Sequence, residues 1–105
     1  MASGKFWAGL LTANNSTDTG VIPAAKIRTV NINVANYGSV DVLIRVYIGM
    51  NAAPSDADRI EADITLKPGQ LYKLTGEPMS TGERVVLFSN NTGAVARVSG
   101  FEEDA

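Results

Sequence analysis

RTVNINVANYGSVDVLIRVYIG (Arg28–Gly49) alternates apolar and polar side chains on both sides of a short polar break. In its first half Val30, Ile32 and Val34 share one face, with Thr29, Asn31 and Asn33 opposite. In its second half Val40, Val42, Ile44, Val46 and Ile48 oppose Asp41, Leu43, Arg45 and Tyr47. A period of two places successive side chains on opposite faces of a strand, so each half has a dry and a wet side. Between them NYGS supplies the Asn and Gly that turns use for positive φ. This reading predicts strands over 26–36 and 40–49, joined as an antiparallel hairpin. Leu43 and Tyr47 fall on the wet face, which implies that something partly covers that side.

The same alternation runs outward. After the polar loop NAAPSDAD, the segment RIEADITL sets Ile60, Ala62, Ile64 and Leu66 against Glu61, Asp63 and Thr65. KPGQ carries Pro and Gly at the two central positions of a type II turn. LYKLTG, RVVLFS and AVARVSGF read as further strands, separated by MSTGE and NNTG. Towards the N-terminus, KFWAGLLTA reads as an opening edge strand or an arm within residues 1–15, and GVIPA as a short edge strand limited by Pro23. No spacing of three and four persists for a helix's length. Seven or eight short strands with turns every 8–12 residues predict an all-β, antiparallel sandwich, jelly-roll or immunoglobulin-like in its strand order, with a small barrel as the other closure.

At 105 residues the chain is expected to form one domain, residues 1–105, around one modest core. No apolar run approaches the ~20 residues of a membrane helix, and FWAGLL reads as part of the fold, without the cleavage site of a signal peptide. Neither Cys nor His occurs. Disulfides, thiolate chemistry and the usual Ser–His–Asp and Cys–His centres are therefore excluded. Nine basic residues scattered among eleven acidic ones give a net charge of −2, so neither nucleic acid nor a membrane surface is expected as a partner.

The remaining constellations carry little chemistry. Glu61 and Asp63 face the same way and could act as a carboxylate pair, but a solvated strand face explains them as well. Asp56 and Asp58, near Asn51 and Ser55, offer hard oxygen ligands without the spacing of a calcium loop; turn formation is the simpler reading. Asn-x-Ser/Thr triplets begin at Asn14, Asn15 and Asn90, all in expected loops. No phosphate-cradling glycine motif occurs. The expected sites are therefore no catalytic residue, no metal and no cofactor, in a protein that is not an enzyme.

One feature stands out. Phe6, Trp7, Leu10 and Leu11 cluster where chain ends are usually polar. A first strand packed into the core accounts for them; so does an apolar surface that docks on another subunit, because aromatic anchors are enriched at interfaces. Leu43, Tyr47 and Tyr72 extend the candidate interface.

The segments GVIPAAKIRTVNINVANYGS, AAPSDADRIEADITLKPGQLYKLTG and GERVVLFSNNTGAVARVSGFEE, over about residues 20–103, together resemble small virion proteins of tailed bacteriophages. The shared features are a Val-Pro-Ala-Gly-like start, an Asn-x-Gly turn, an Ile-Glu-x-Asp strand and a terminal Val-x-Gly-Phe-Glu-Glu. Here Ala25 follows Pro23–Ala24 in place of glycine. Within that group the chain looks like a capsid cement, or decoration, protein. The resemblance implies a β-sandwich on the outer surface of the capsid that binds the major capsid protein, stabilises the shell, and self-associates as a dimer or trimer. A tail, collar, baseplate or fibre-associated domain is the alternative within the virion. A glycan-binding module, stacking sugar on Trp7 with Tyr37 or Tyr47, is the alternative outside that class.

Overall fold

The structure, a computed structural model, describes residues 2–51, 58–60 and 63–104. Eight strands and no helix occur among the described residues: β1 (Ala2–Leu10), β2 (Asn15–Val21), β3 (Lys26–Asn36), β4 (Val42–Gly49), β5 (Ile64–Leu66), β6 (Leu71–Met79), β7 (Arg84–Ser89) and β8 (Ala94–Asp104). They form two antiparallel sheets, sheet A in the order β1-β8-β3-β6 and sheet B in the order β2-β7-β4-β5. Pairing is nested: β1 with β8, β2 with β7, β3 with β6, and β4 with β5. A long antiparallel ribbon wrapped on itself gives this order, which is that of a jelly roll and not of an immunoglobulin sandwich.

The core is where the alternation puts it. Val30, Ile32 and Val34 of β3 and Ala96 and Val98 of β8 face Val42, Ile44 and Val46 of β4 and Val85 and Leu87 of β7, all buried. Phe6 and Trp7 are consecutive, yet both pack against this core. A bulge makes that possible: the β1–β8 register shifts between Lys5 and Trp7, so Phe6 is the extra residue.

The expected hairpin of 26–36 with 40–49 does not form. β3 lies in sheet A and β4 in sheet B, so NYGS crosses between layers. Alternation reports which face of each strand is dry; it does not distinguish a strand's neighbour from the strand across the core. What fixes the crossover is Asn36. Its side chain is buried, and its Nδ2 donates to Val40 O (2.7 Å) and Leu66 O (2.9 Å) while its Oδ1 accepts from Gly38 N (3.0 Å). Its main chain bonds with Gln70 O and Gly69 N. The amide thus ties the β3–β4 crossover to the β5–β6 turn. Gly93, at φ 115°, lies against it; a Cβ there would sit 3.3 Å from Asn36 Oδ1.

Other local readings hold or shift in instructive ways. In KPGQ, Gly69 has φ +84° and Gln70 N donates to Lys67 O at 2.9 Å, as a type II turn requires. LYKLTG extends to Met79, because a bulge and Pro78 are tolerated on an edge strand. The Asn15 triplet, expected in a loop, opens the edge strand β2, which needs only one partner; of GVIPA, expected as a short edge strand, Gly20 and Val21 form its end. Asn15 is therefore in a strand, whereas Asn14 and Asn90 lie in turns or bends. Of RIEADITL, only Ile64–Leu66 forms a strand among the described residues.

Asn36→Ala removes the donor to the buried Leu66 carbonyl and the half-buried Val40 carbonyl and is expected to cost about 1–3 kcal/mol in urea unfolding. Asn36→Asp keeps the shape but turns an acceptor towards both carbonyls, raising the carboxyl pKa in the folded state. Its stability is expected to be highest at low pH and to fall as pH rises above about 4. Equal stability of the parent and Asn36→Asp at neutral pH would refute this role.

Candidate interaction surface

The outer faces of the two sheets differ in kind. On sheet B, directly paired residues bring Phe88 beside Arg45 and Val86 beside Tyr47. Val86 is fully buried and Tyr47 is 7% exposed, although both point away from the core. The cover comes from the chain itself. Arg59 bridges to Tyr47, with its guanidinium 5.8 Å from the ring centre, and Ile60 N donates to Val46 O at 3.1 Å. Asp63 then accepts from Arg45 Nε (2.7 Å) and Arg59 Nη1 (3.1 Å), and Arg45 lies 4.9 Å above the Phe88 ring. Arg84 pairs with Asp18 on the same side. Each arginine of this face has its carboxylate, so the charges are used within the molecule.

Among the described residues, sheet A carries no such layer. Antiparallel partners share a face, so the registers can be read across all four strands. Leu10, Val95, Ala35 and Leu71 form one continuous apolar row, with Leu10 61% and Leu71 62% exposed. The next row is Ala8, Arg97, Asn33 and Lys73. Lys5, Ser99 and Asn31 follow, and then Phe101, 57% exposed, beside Thr29 and Pro78. Lys5, Lys73 and Arg97 are exposed and have no ion-pair partner among the described residues.

The seven residues expected at an interface do not come together. Leu10 belongs to the sheet A row. Phe6 and Trp7 pack partly buried against the core, and Leu11 lies within it at 2% exposure. The stretch expected as an arm or edge strand is the edge strand β1, paired with β8 along its length. Leu43 and Tyr47 lie on the outer face of sheet B, Tyr47 under Arg59. Tyr72 pairs with Val34 and packs against the core. Trp7, Tyr47 and exposed Tyr37 occupy three separate places, so they offer no common stacking platform for a sugar. The residues that the reading missed, Val95, Ala35, Leu71, Lys73 and Arg97, become one surface only through the registers of four strands.

A recess at one end of the sandwich is lined by Phe6, Ile22, Arg28, Val30, Met79 and Val98, among others, and holds about 10 Å³, the space of one water. Arg28 closes it, 4.1 Å from the Phe6 ring centre and paired with Glu102 at 3.0 Å. This recess is filled by structure and has no room for a substrate. No group of three or more metal-binding side chains occurs among the described residues. Asp63 of the proposed carboxylate pair is held by two arginines, whereas Glu61, Ser55 and Asp56 lie outside the described residues.

Arg45 beside Asp63 holds that carboxyl below its ordinary pKa of 3.8. A depressed folded-state pKa contributes stability above the unfolded value, and this is lost as pH falls through the folded one. Protection of the Ile60 amide against hydrogen exchange is therefore expected to decline on acidification below about pH 4, and to be low at every pH in Asp63→Asn. Protection unchanged in that variant would show that the Asp63 clamp does not hold the segment down. Comparison of the chain with protein-family models, curated proteins and solved structures returns no match.

Proposed function

We propose that this chain is a structural component of a tailed-phage virion, a cement protein that binds the outside of the major capsid protein shell and stabilises it. The observation that carries the reading is the contrast between its two outer faces: one is partly covered by the chain's own Arg59 and Asp63, the other is a four-stranded sheet with no such cover among the described residues. A surface of that kind suits binding, and the resemblance over residues 20–103 to small virion proteins supplies the partner class. The jelly-roll order supports it in the weaker sense that this architecture also serves in viral capsid domains, since a fold hosts many functions.

Physical chemistry supports the same reading. A sheet face held by hydrogen bonds on both sides of its two central strands is preordered, so docking loses little conformational entropy. Each copy then contributes a modest affinity, and arrays of copies on a lattice sum to a large stabilisation.

Purified empty shells of the phage that encodes the chain, mixed with the protein and sedimented, are expected to retain it at copy numbers on the order of hundreds per shell, as a repeating lattice demands, and to resist thermal disruption better than bare shells. Retention at about six or twelve copies per intact particle would instead indicate a ring around the tail axis. No retention would overturn the reading.

A further inference from the structure

We infer that the outer face of sheet A is the docking surface, and that its occupant is an acidic protein surface with apolar ground beside the charge. The inference rests on the lattice-binding reading above and names the face and the chemistry of its partner.

The charge distribution identifies the occupant. Across the middle of this face run Lys5, Arg97 and Lys73, contributed by three different strands and all exposed. The opposite sheet neutralises Arg45, Arg59 and Arg84 with Asp63 and Asp18. Sheet A leaves its three cations without a carboxylate among the described residues. Glu103, paired with Ile27, lies on the same face six residues along β8 from Arg97, about 20 Å away and beyond a Debye length. A face with only cations at its centre, on a chain whose net charge is −2, is matched by carboxylates from outside.

Apolar side chains flank the cations on both sides. The Leu10–Val95–Ala35–Leu71 row borders them at one end and Phe101 at the other. A partner that offered only charge would leave these side chains in water, so the arrangement fits a protein whose acidic residues sit beside apolar ones. Nucleic acid fits worse: the net negative charge repels a polyanion at long range, and the exposed Phe101 stands alone on the face, with no second aromatic beside it to stack bases. The patch spans about 14 Å between the outer strands and about 20 Å along them, a footprint smaller than the ~800 Å² per partner of a standard specific interface. One copy therefore binds weakly, and the lattice multiplies it.

The test compares Arg97→Gln/Lys73→Gln with Asn15→Asp/Ser16→Asp, which shifts the net charge equally from the edge strand of the opposite sheet. Both doublets are surface changes, and a thermal melt of each checks that it folds. In sedimentation with empty shells at low salt, the first doublet is expected to lose affinity about tenfold, worth about 1.4 kcal/mol, with the loss shrinking as salt rises. The second is expected to bind like the parent. If the parent binds and both doublets bind alike, this face is not the dock, and the lattice reading stands without it. If the parent fails to bind shells, the lattice reading falls and this inference with it. A parallel titration with double-stranded DNA in which the parent binds and the first doublet does not would assign the face to nucleic acid and overturn the acidic-protein partner.

Discussion

The Asn36 amide is the constraint on which the arrangement of layers depends. A jelly roll requires the chain to leave one sheet and enter the other at each crossover, and nothing in an alternating sequence commands it to do so. Asn36 does this at the β3–β4 crossover. It is buried, it directs both Nδ2 hydrogens at carbonyls of other segments, and its main chain bonds with the turn before β6. A buried amide with its partners in place stabilises moderately; with partners missing it is costly. Alternative pairings, such as a simple β3–β4 hairpin, would take those partners away. Eight positions earlier on the same strand, Arg28 does the corresponding work at the other end of the sandwich, held by Glu102 and covering Phe6. Strand β3 therefore carries a polar pin at each end and Val30, Ile32 and Val34 between them.

The two outer faces show how similar residue types reach opposite fates. Sheet B places Arg45 and Arg59 over aromatic rings and closes both with Asp63, so these charges are paired within the chain. Sheet A has lysines and an arginine too, but its neighbouring positions are Asn, Ser, Thr and Ala, which supply no countercharge. Surface ion pairs contribute little stability each. The consequence of the difference is therefore one of availability: charges already paired on one face, charges free to pair on the other.

Much of this was legible in the sequence, and the rest failed for physical reasons. The dry faces of β3, β4 and β8 follow from the period of two, and the Gly69 turn from its proline and glycine. That Tyr47 sits under cover was also legible, because a large apolar group on a wet face needs one; that the cover is Arg59 was not, since the contact joins residues from separate segments. The identity of each strand's neighbour was illegible because a strand with one dry face can satisfy it beside, or across from, another. Phe6 and Trp7 admitted two readings, a first strand packed into the core or an apolar docking surface; both pack against the core, and the bulge that lets two consecutive residues do so has no local signal in the sequence. The apolar row of sheet A was hidden most thoroughly: Leu10, Ala35, Leu71 and Val95 are each unremarkable in their own segment.

That last point bears on how such a surface would come into existence. Its rows draw residues from β1 and β8, which pair across nearly the whole chain, and from β3 and β6 between them. Contacts so distant in sequence form late, because loop closure must precede them. No hairpin or half-domain of this chain presents the row of Leu10, Val95, Ala35 and Leu71, nor sets Lys5, Arg97 and Lys73 side by side. The proposed docking face is therefore coupled to complete folding: a chain with β1 or β8 unplaced lacks the surface altogether. Under the lattice-binding proposal this coupling has a direct consequence, since a misfolded copy would have no partial site with which to occupy a position and exclude a sound one.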